Sequence, residues 1–245
     1  MRLYKYVAPE RVDIVRDLQI RFTPPGYLSD PFECRIAFPP SAKNTTGPSN
    51  EPGLHEDELI RLWRRMASIE WGILCLTKRP DNLVMWAHYA AAHRGFLLEF
   101  DAVNPFFNKT SVWHLDWTWM EEMPLRCPGF GNLRDVEYSK ERPSSGTPDE
   151  IPLNSFFVKS PHWAYEEEVR MVMPLSDANI KRKKDDLHLF RLPADALTGV
   201  VLGAGAKKEL TDEIKMLLGS EQLAHVSLQR AILSLRTFAM EFEKA

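Results

Sequence analysis

Three consecutive glutamates, residues 166–168, follow the aromatic segment "PHWAY" and precede the apolar run "VRMVMP". Because alternate side chains of a β-strand share a face, Glu166, Glu168 and Arg170 are expected on one face and the methionines on the other. Two interpretations remain open: an exposed, charged strand edge, or carboxylates that line a pocket. The tryptophan and tyrosine just upstream favour the pocket, since amphipathic aromatic side chains suit the wall of a ligand site.

A second group of polar and aromatic residues lies in the segment 82–93, which is predicted to be a helix with Asp81 as its N-cap and Gly95 after its end. Spacings of three or four residues place one set on a single helix face: Asn82, Trp86, Tyr89 and His93. Such a face could stack on and hydrogen-bond to a planar ligand, such as a nicotinamide or adenine ring. The alternative is a structural helix whose histidine bonds to a backbone carbonyl.

Other chemical motifs are weaker. Asp30 and Glu33, in "SDPFE", either line a cleft or cap a structural loop. The chain has neither HExxH nor GxSxG, and no metal site is predicted. Cys75 lies within the apolar run "WGILCLT", which favours an unreactive core thiol. "GAGAKK" (203–208) lacks a phosphate-loop pattern and is interpreted as a turn that could at best hold an anion.

Composition narrows the function classes. The 245 residues are 44% hydrophobic and 27% charged, with a net charge of −3, which disfavours bulk electrostatic binding to nucleic acid or to an anionic membrane. No run of about 18 apolar residues is present, and the N-terminus has no apolar signal-peptide core. Three scattered cysteines favour reduced thiols in a cytoplasmic protein.

The elements that must position these residues mix helices and strands without a regular βαβ alternation. Strands are expected at 3–7, 71–77 and 168–174, with "LHLFRLP" (187–193) pairing beside the last of them. A helix is expected over 54–70, with Leu59, Leu62, Trp63 and Met66 on its buried face. The prediction is an α+β fold, with a mixed or mostly antiparallel sheet and helices packed alongside. We expect a single domain, 1–245, with a flexible internal loop at 38–53 that is rich in Pro, Gly, Ser and Asn.

Several stretches together resemble a bacterial family known as domain of unknown function 2971. The matching segments are "LYKY" (3–6), "DPFE" (30–33), "CLT" (75–77), "NLVMWAHYAAAHRGFLLEF" (82–100), "VEYS" (136–139), "WAYEEEVR" (163–170) and "VVLG" (200–203). One departure is Ser29, where the family usually has Asn before "DPFE". The resemblance implies a phage-defence or mobile-element setting, and it implies no reaction.

A more distant similarity to mono-ADP-ribosyltransferases implies a mechanism and a split α+β sheet around an NAD cleft. In that family's chain order, Lys5 or Arg21 would hold the pyrophosphate, and Thr77 would be the hydroxyl residue of the Ser/Thr-containing strand. Glu168, with Glu166 as its partner, would be the catalytic carboxylate. Trp86 or Tyr89 would hold the nicotinamide. A carboxylate near the ribose would stabilise the oxocarbenium-like charge that develops when NAD is cleaved. The chain departs from the pattern in having Lys5 for the usual Arg or His, and a single Thr77 for a Ser-Thr-Ser motif.

Three functions follow as alternatives. The first is an NAD-cleaving glycosyltransferase of the ADP-ribosyltransferase type, with NAD as substrate. The second is a non-catalytic module of a defence or toxin–antitoxin system that binds a nucleotide or a protein partner. The third, a metal-dependent nuclease using Asp30, Glu33, Glu99 and the glutamate run, is disfavoured because the acidic balance of the chain works against steering of nucleic acid.

Overall fold

A computed structural model of the chain describes residues 1–37, 56–109, 130–144, 153–182 and 187–245. The expected flexible loop at 38–53 lies outside the described residues. Within them, the α-helices are α1 (Asp13–Asp17), α2 (Glu56–Glu70), α3 (Leu83–Tyr89) and α4 (Lys208–Leu218). The strands are β1 (Arg2–Val7), β2 (Gln19–Arg21), β3 (Trp71–Thr77), β4 (Phe96–Asp101), β5 (Arg134–Asp135), β6 (Glu137–Tyr138), β7 (Val158–Lys159), β8 (Glu168–Pro174), β9 (Ile180–Arg182), β10 (Leu187–Arg191), β11 (Leu197–Leu202), β12 (Ser227–Leu233) and β13 (Met240–Lys244).

Eight of these strands form one sheet in the order β13-β12-β11-β4-β1-β3-β8-β5. Neighbouring strands are antiparallel except β11 and β12, which are parallel. A three-stranded sheet, β2-β10-β9, and a parallel pair, β6-β7, complete the strand pairings that the structure describes. The fold is therefore α+β with a mixed, mostly antiparallel sheet, as the element pattern predicts.

The large sheet opens between β1 and β3. On the sides away from the opening, β1 pairs with β4 over six residues and β3 pairs with β8 over seven. Between β1 and β3, by contrast, there is one register pair, Tyr4 with Thr77. Further along β3, Ile73 instead exchanges two backbone hydrogen bonds with Thr23, both 2.9 Å long. The two strands thus diverge after one residue pair, and the gap between them is available for side chains and a ligand.

Three apolar cores cover the two faces of the sheet. The largest lies on the face of Leu3, Leu98 and Met171, and α1, α4 and the three-stranded sheet contribute to it. Two smaller cores share the opposite face. One contains Trp71 and packs against α2, and the other contains Trp86 of α3. The opening between β1 and β3 lies at the junction of these two smaller cores.

Three expectations about the elements were wrong in detail. β8 pairs with β3 and β5, and β10 pairs with β2 and β9, so the two apolar runs flanking 175–186 are not partners. On α2, Leu62 is 46% exposed, whereas Ile60 and Ala67, among the side chains that the structure describes, are buried. The third difference, in α3, concerns the site and is described below. Periodicity alone does not identify a strand's partner or the neighbours that cover a helix, because both depend on distant segments.

Gly95 packs tightly in the loop between α3 and β4. A Cβ built there would lie 2.0 Å from the carbonyl oxygen of Val7, which is backbone and cannot rotate away. We therefore expect Gly95→Ala to lower the free energy of unfolding by about 1–3 kcal/mol, because it overpacks a rigid contact. Chemical denaturation measures this loss.

Gly205 is the matched control, since a Cβ there would have its closest contacts at 3.4 Å, an ordinary van der Waals distance. Gly205→Ala should change stability by no more than about 0.5 kcal/mol. Equal stability of the two variants would show that the backbone of β1 does not constrain Gly95.

Candidate functional site

A cleft of about 180 Å³ occupies the opening between β1 and β3. Its apolar wall consists of aromatic and aliphatic side chains, and its polar wall holds carboxylates, lysines and hydroxyls. The lining residues are Tyr4, Lys5, Tyr6, Thr23, Leu28, Ser29, Asp30, Glu33, Ile73, Cys75, Leu76, Thr77, Met85, Tyr89, Lys159, Trp163, Glu166 and Glu168. Segments far apart in the chain therefore meet at one concave surface, which is the usual form of a small-molecule site.

A buried ion cluster forms the polar wall. Lys159 Nζ lies 2.5 Å from Glu166 Oε2, 3.0 Å from Glu168 Oε2 and 3.4 Å from Glu33 Oε1. Arg170, which is 0% exposed, contacts Glu168 through Nε (2.7 Å) and Glu33 through Nη2 (2.6 Å). Its Nη1 donates to the carbonyl oxygen of Phe156. These five side chains are called the ion cluster below: Glu33, Lys159, Glu166, Glu168 and Arg170.

The exposed-edge interpretation of the glutamate run is wrong for two of the three residues. Glu166 and Glu168 are 3% and 4% exposed, whereas Glu167 is exposed and pairs with Arg79. The alternation arises because Glu166 ends a short 3₁₀ helix (Pro161–Glu166) and Glu167 has a left-handed backbone, with φ of 42°. The chain turns there, so both flanking carboxylates face inwards and the middle one faces solvent.

Thr77 fixes the position of this turn. Its hydroxyl donates to the backbone carbonyl of Glu166 (2.5 Å) and accepts from the backbone N–H of Arg79 (3.0 Å). Across the sheet, Thr77 is in register with Glu168 on one side and Tyr4 on the other. The structure thus places Thr77 at the cleft, where its hydroxyl holds the backbone beside the carboxylates.

The two inward carboxylates differ in their electrostatics. Burial by itself would raise the pKa of Glu168, but the charges of Arg170 and Lys159 outweigh burial and lower this pKa to about 2. Burial raises the pKa of Glu166, against the opposing charge of Lys159. One carboxylate of the pair is therefore firmly ionised, and the other is the more easily protonated, a separation typical of paired functional carboxylates.

Helix α3 brings one of the predicted ligand-binding residues, Tyr89, to this wall, and a second, Asn82, anchors the helix next to it without lining the cleft. Tyr89 donates its hydroxyl proton to Glu166 Oε1 at 2.6 Å. Asn82, rather than Asp81, is the N-cap, accepting from the N–H groups of Val84 and Met85. Its Nδ2 donates to the carbonyl oxygen of Tyr165 and so ties the helix start to the glutamate segment.

The predicted common face of Asn82, Trp86, Tyr89 and His93 is not formed. The helix ends at Tyr89 because Ala91, Ala92 and His93 have left-handed backbones, with φ between 49° and 64°. Trp86 is fully buried in the core and donates to the carbonyl oxygen of Pro80. The ring of His93 stacks on Trp86 at 6.2 Å, so these two rings support the helix and do not line the cleft.

The early basic residues also separate. Lys5 lines the cleft and donates from Nζ to the carbonyl oxygen of Cys75, at 3.2 Å, across the opening. Burial lowers the pKa of Lys5. Arg21 lies on β2 and is not part of the cleft wall.

Lys159 is a cleft residue that sequence reasoning missed. It precedes Glu166 by seven residues, which in a continuous α-helix or strand would place the two residues about 10 Å or more apart. The intervening 3₁₀ helix folds the chain back, so that Lys159 and Glu166 meet. A lysine shortly before an acidic run with a proline between them is too common a pattern to identify such a contact.

Carboxylates outnumber cations around the cleft. Four acidic side chains, Asp30, Glu33, Glu166 and Glu168, face three basic ones, Lys5, Lys159 and Arg170. Glu99, which the nuclease hypothesis included, lies elsewhere, beside Arg2 and Thr198. Among the described residues, no group of three or more His, Cys, Asp or Glu side chains is arranged to hold a metal ion. The nuclease hypothesis therefore gains no support from the geometry.

Removing the Arg170 cation should destabilise the protein strongly. Arg170→Met leaves Glu33 and Glu168 buried with one fewer partner, and losing one member of a buried ion pair costs about 3–5 kcal/mol. The double variant Arg170→Met/Glu168→Gln should recover part of that loss, because it also removes one uncompensated charge. Urea denaturation of the three proteins measures the coupling.

Arg79→Met is the control, because Arg79 pairs with Asp81 and Glu167 on the exposed surface. Its loss should stay within about 1 kcal/mol, as for other exposed ion pairs. A loss at Arg170 no larger than at Arg79 would contradict the structural role of the ion cluster.

The lowered pKa of Glu168 predicts acid sensitivity. A carboxylate whose pKa is lower in the folded state stabilises the fold above its unfolded pKa, and this contribution is lost as pH falls towards the folded value of about 2. Between about pH 5 and pH 2, the free energy of unfolding of the wild type should therefore fall by on the order of 3 kcal/mol more than that of Glu168→Gln. Equilibrium unfolding across that pH range measures the change.

Glu167 is one residue away and exposed, so Glu167→Gln should leave the loss of stability at acid pH almost unchanged. If Glu168→Gln and the wild type lost stability in parallel below pH 5, the low pKa of Glu168 would be disproved.

Comparisons with known proteins bear on the family and not on a reaction. Residues 85–171 match the family described as protein of unknown function DUF2971. That segment includes Tyr89, Lys159, Glu166, Glu168 and Arg170. Searches of curated proteins and of solved structures found no match to the chain. The more distant similarity to mono-ADP-ribosyltransferases gains no support from these comparisons.

None of the helices in the described residues is both long and apolar enough to cross a bilayer. The resemblance predicted from the sequence motifs is confirmed over residues 85–171, where the chain matches the DUF2971 family of proteins of unknown function.

Proposed function

We propose that the cleft binds a nucleotide with a positively charged base, NAD being the candidate, and promotes cleavage of its bond between ribose and nicotinamide. The observation that carries this proposal is the excess of buried carboxylates beside aromatic rings. Asp30, Glu33, Glu166 and Glu168 outnumber the nearby cations, and Tyr4, Tyr6, Tyr89 and Trp163 supply the rings. A cation that is flat and apolar on its faces, such as a nicotinamide ring, fits both features.

The same electrostatics favour the chemical step. When the C1′–N bond of NAD breaks, its electron pair leaves with nicotinamide, which becomes neutral, and positive charge develops on the ribose. A fixed negative potential is worth most when that charge appears, because the cleft is partly desolvated and its charges need no reorganisation. Water, or a nucleophile on an acceptor, then adds to C1′ and loses a proton.

Glu166 is the carboxylate that we place against the ribose. Glu168 is held through both oxygens by Arg170 and through one of them also by Lys159, so it acts mainly as a positioning residue and a source of negative potential. Glu166 has one cationic partner, Lys159, and one neutral donor, Tyr89. Its raised pKa also leaves it better able to accept a proton from the attacking nucleophile.

A non-catalytic binding module is the second candidate, and one observation favours it. Each oxygen of Glu166 and of Glu168 already has a hydrogen-bond partner. A site whose carboxylates are satisfied before the ligand arrives can recognise a nucleotide by shape and charge without chemistry. Phage defence for either function, or a toxin–antitoxin system for the binding module, is retained as the setting within this proposal.

Nicotinamide release from NAD tests the catalytic proposal. Wild-type protein should release nicotinamide slowly, and Glu166→Gln should lower the rate by at least about 100-fold, since it removes a carboxylate that acts in the transition state. Tyr89→Phe keeps the ring and loses the hydroxyl donor to Glu166, so a smaller loss is expected. Chromatography of the released base measures all three rates.

Glu167→Gln is the matched control and should keep wild-type turnover, because Glu167 faces solvent. Full activity of Glu166→Gln would remove this carboxylate from the mechanism. A rise in melting temperature with NAD and no turnover would support the binding module instead. If NAD gave neither turnover nor a rise in melting temperature, both candidates would fail for this ligand.

A further inference from the structure

A second cavity, of about 320 Å³, adjoins the cleft. Asp30, Glu33 and Lys159 line both hollows, so these three residues, two of them members of the ion cluster, form a common wall between them. The remaining lining of the second cavity comes from "FECR" (32–35), from 139–143 and from the segment 155–162. Neither the sequence motifs nor the family match assigned a function to this cavity.

The second cavity has the opposite charge character to the cleft. Apart from the shared wall, Arg35, Lys140 and Arg142 supply three cations against one carboxylate, Glu141. Within the residues that the structure describes, no ion pair neutralises Arg35, Lys140 or Arg142. Uncompensated cations gathered at a concave surface favour an anionic ligand.

Buried polar atoms without partners mark the same cavity. Ser155 is 1% exposed and its Oγ has no hydrogen-bond partner. The Nε of Arg35 and Oε2 of Glu33 are also buried and unpartnered. Since buried polar atoms are nearly always hydrogen-bonded, two donors and one acceptor left open around one hollow indicate a missing polar occupant.

We propose that this second cavity, the basic cavity, binds the phosphate groups of a nucleotide whose nucleoside part lies in the cleft. Arg35 Nε and Ser155 Oγ would donate to phosphate oxygens, with Lys140 and Arg142 adding positive charge at the rim. A hydroxyl of the bound sugar would donate to Glu33 Oε2, at the shared wall. The spanning arrangement rests on the proposed function, whereas the anion site depends only on the basic cavity itself.

The sizes of the two hollows agree with such a ligand. The cleft, at about 180 Å³, is smaller than the about 300–1,000 Å³ typical of sites for whole cofactors. A dinucleotide therefore needs space beyond the cleft, and the basic cavity supplies it on the side of Lys159. The ligand would place its cationic base on the acidic side of the ion cluster and its phosphates on the basic side.

Inorganic pyrophosphate is the probe for the basic cavity, because it carries the phosphates without a nucleoside. Isothermal titration calorimetry should detect binding to the full chain, and Arg142→Gln and Ser155→Ala should each weaken it by about tenfold. Ser155→Ala should not lower the melting temperature of the ligand-free protein, because it removes an unpartnered buried hydroxyl. If Ser155→Ala lowered the melting temperature and left pyrophosphate binding unchanged, Ser155 would have a structural role only, and its assignment to the anion site would be wrong.

Arg236→Gln is the control, since Arg236 is exposed on the loop that joins β12 and β13, the two strands at the far edge of the sheet. Binding that is absent at millimolar pyrophosphate, or that weakens equally in Arg236→Gln, overturns the anion site. AMP compared with adenosine tests the spanning arrangement: AMP should bind more tightly, and Arg142→Gln should abolish the difference. Equal affinities of AMP and adenosine overturn the spanning arrangement.

Failure of this proposal is distinguishable from failure of the proposed function. Pyrophosphate binding that depends on Arg142 and Ser155, together with no release of nicotinamide from NAD, leaves the anion site in place and rejects the NAD chemistry. Turnover of NAD that is unchanged, in both rate and KM, by Arg142→Gln and Ser155→Ala supports the chemistry and rejects the basic cavity as its phosphate site.

Discussion

The contact of Arg170 with Glu33 and Glu168 is the interaction on which the rest of the site depends. A fully buried guanidinium is tolerated only where carboxylates and carbonyls satisfy it, because transferring a lone charge out of water costs several kcal/mol even after the protein relaxes. Arg170 meets this requirement with two carboxylates and the carbonyl oxygen of Phe156. In doing so it joins the "DPFE" loop, the strand β8 and the segment before β7 around one point.

This constraint explains why the carboxylates stay ionised inside the protein. Glu168 would be protonated by burial alone, and the two adjacent cations reverse that tendency. Lys159 extends the cluster to Glu166, and Tyr89 completes it from α3. Any chemistry at this wall would therefore depend on a structural ion cluster, so replacing Arg170 would alter the cleft wall and the stability of the fold together.

The opening between β1 and β3 forms the cleft beside the ion cluster. β3 uses one edge for β8 and divides the other between Thr23 and Tyr4, so the ladder to β1 stops after a single pair. The result is a gap within one continuous eight-stranded sheet. With carboxylates in excess on one side of the ion cluster and cations in excess on the other, the two hollows have charges complementary to those of the nucleotide proposed above.

Local sequence determined much of the fold and only part of the site. Apolar runs at 71–77 and 168–174, and the helical pattern at 83–89, follow from propensity and periodicity, which act over a few residues. The inward position of Glu166 and Glu168 was one of two readings that the pattern allowed. The choice depended on Arg170 and Lys159 being buried beside them, which a single strand pattern does not contain.

Tertiary structure alone decided the rest. Left-handed backbones at Ala91, Ala92 and His93 end α3 early and leave Trp86 in the core, although helical spacing placed both Trp86 and His93 beside Tyr89. The meeting of Glu33 with Arg170 joins residues separated by 137 positions. Sequence by itself determined which side chains could ionise, stack or donate. Only the folded chain decided which of them share a low-dielectric space, because burial and distance, which govern charge interactions, are properties of the whole packing.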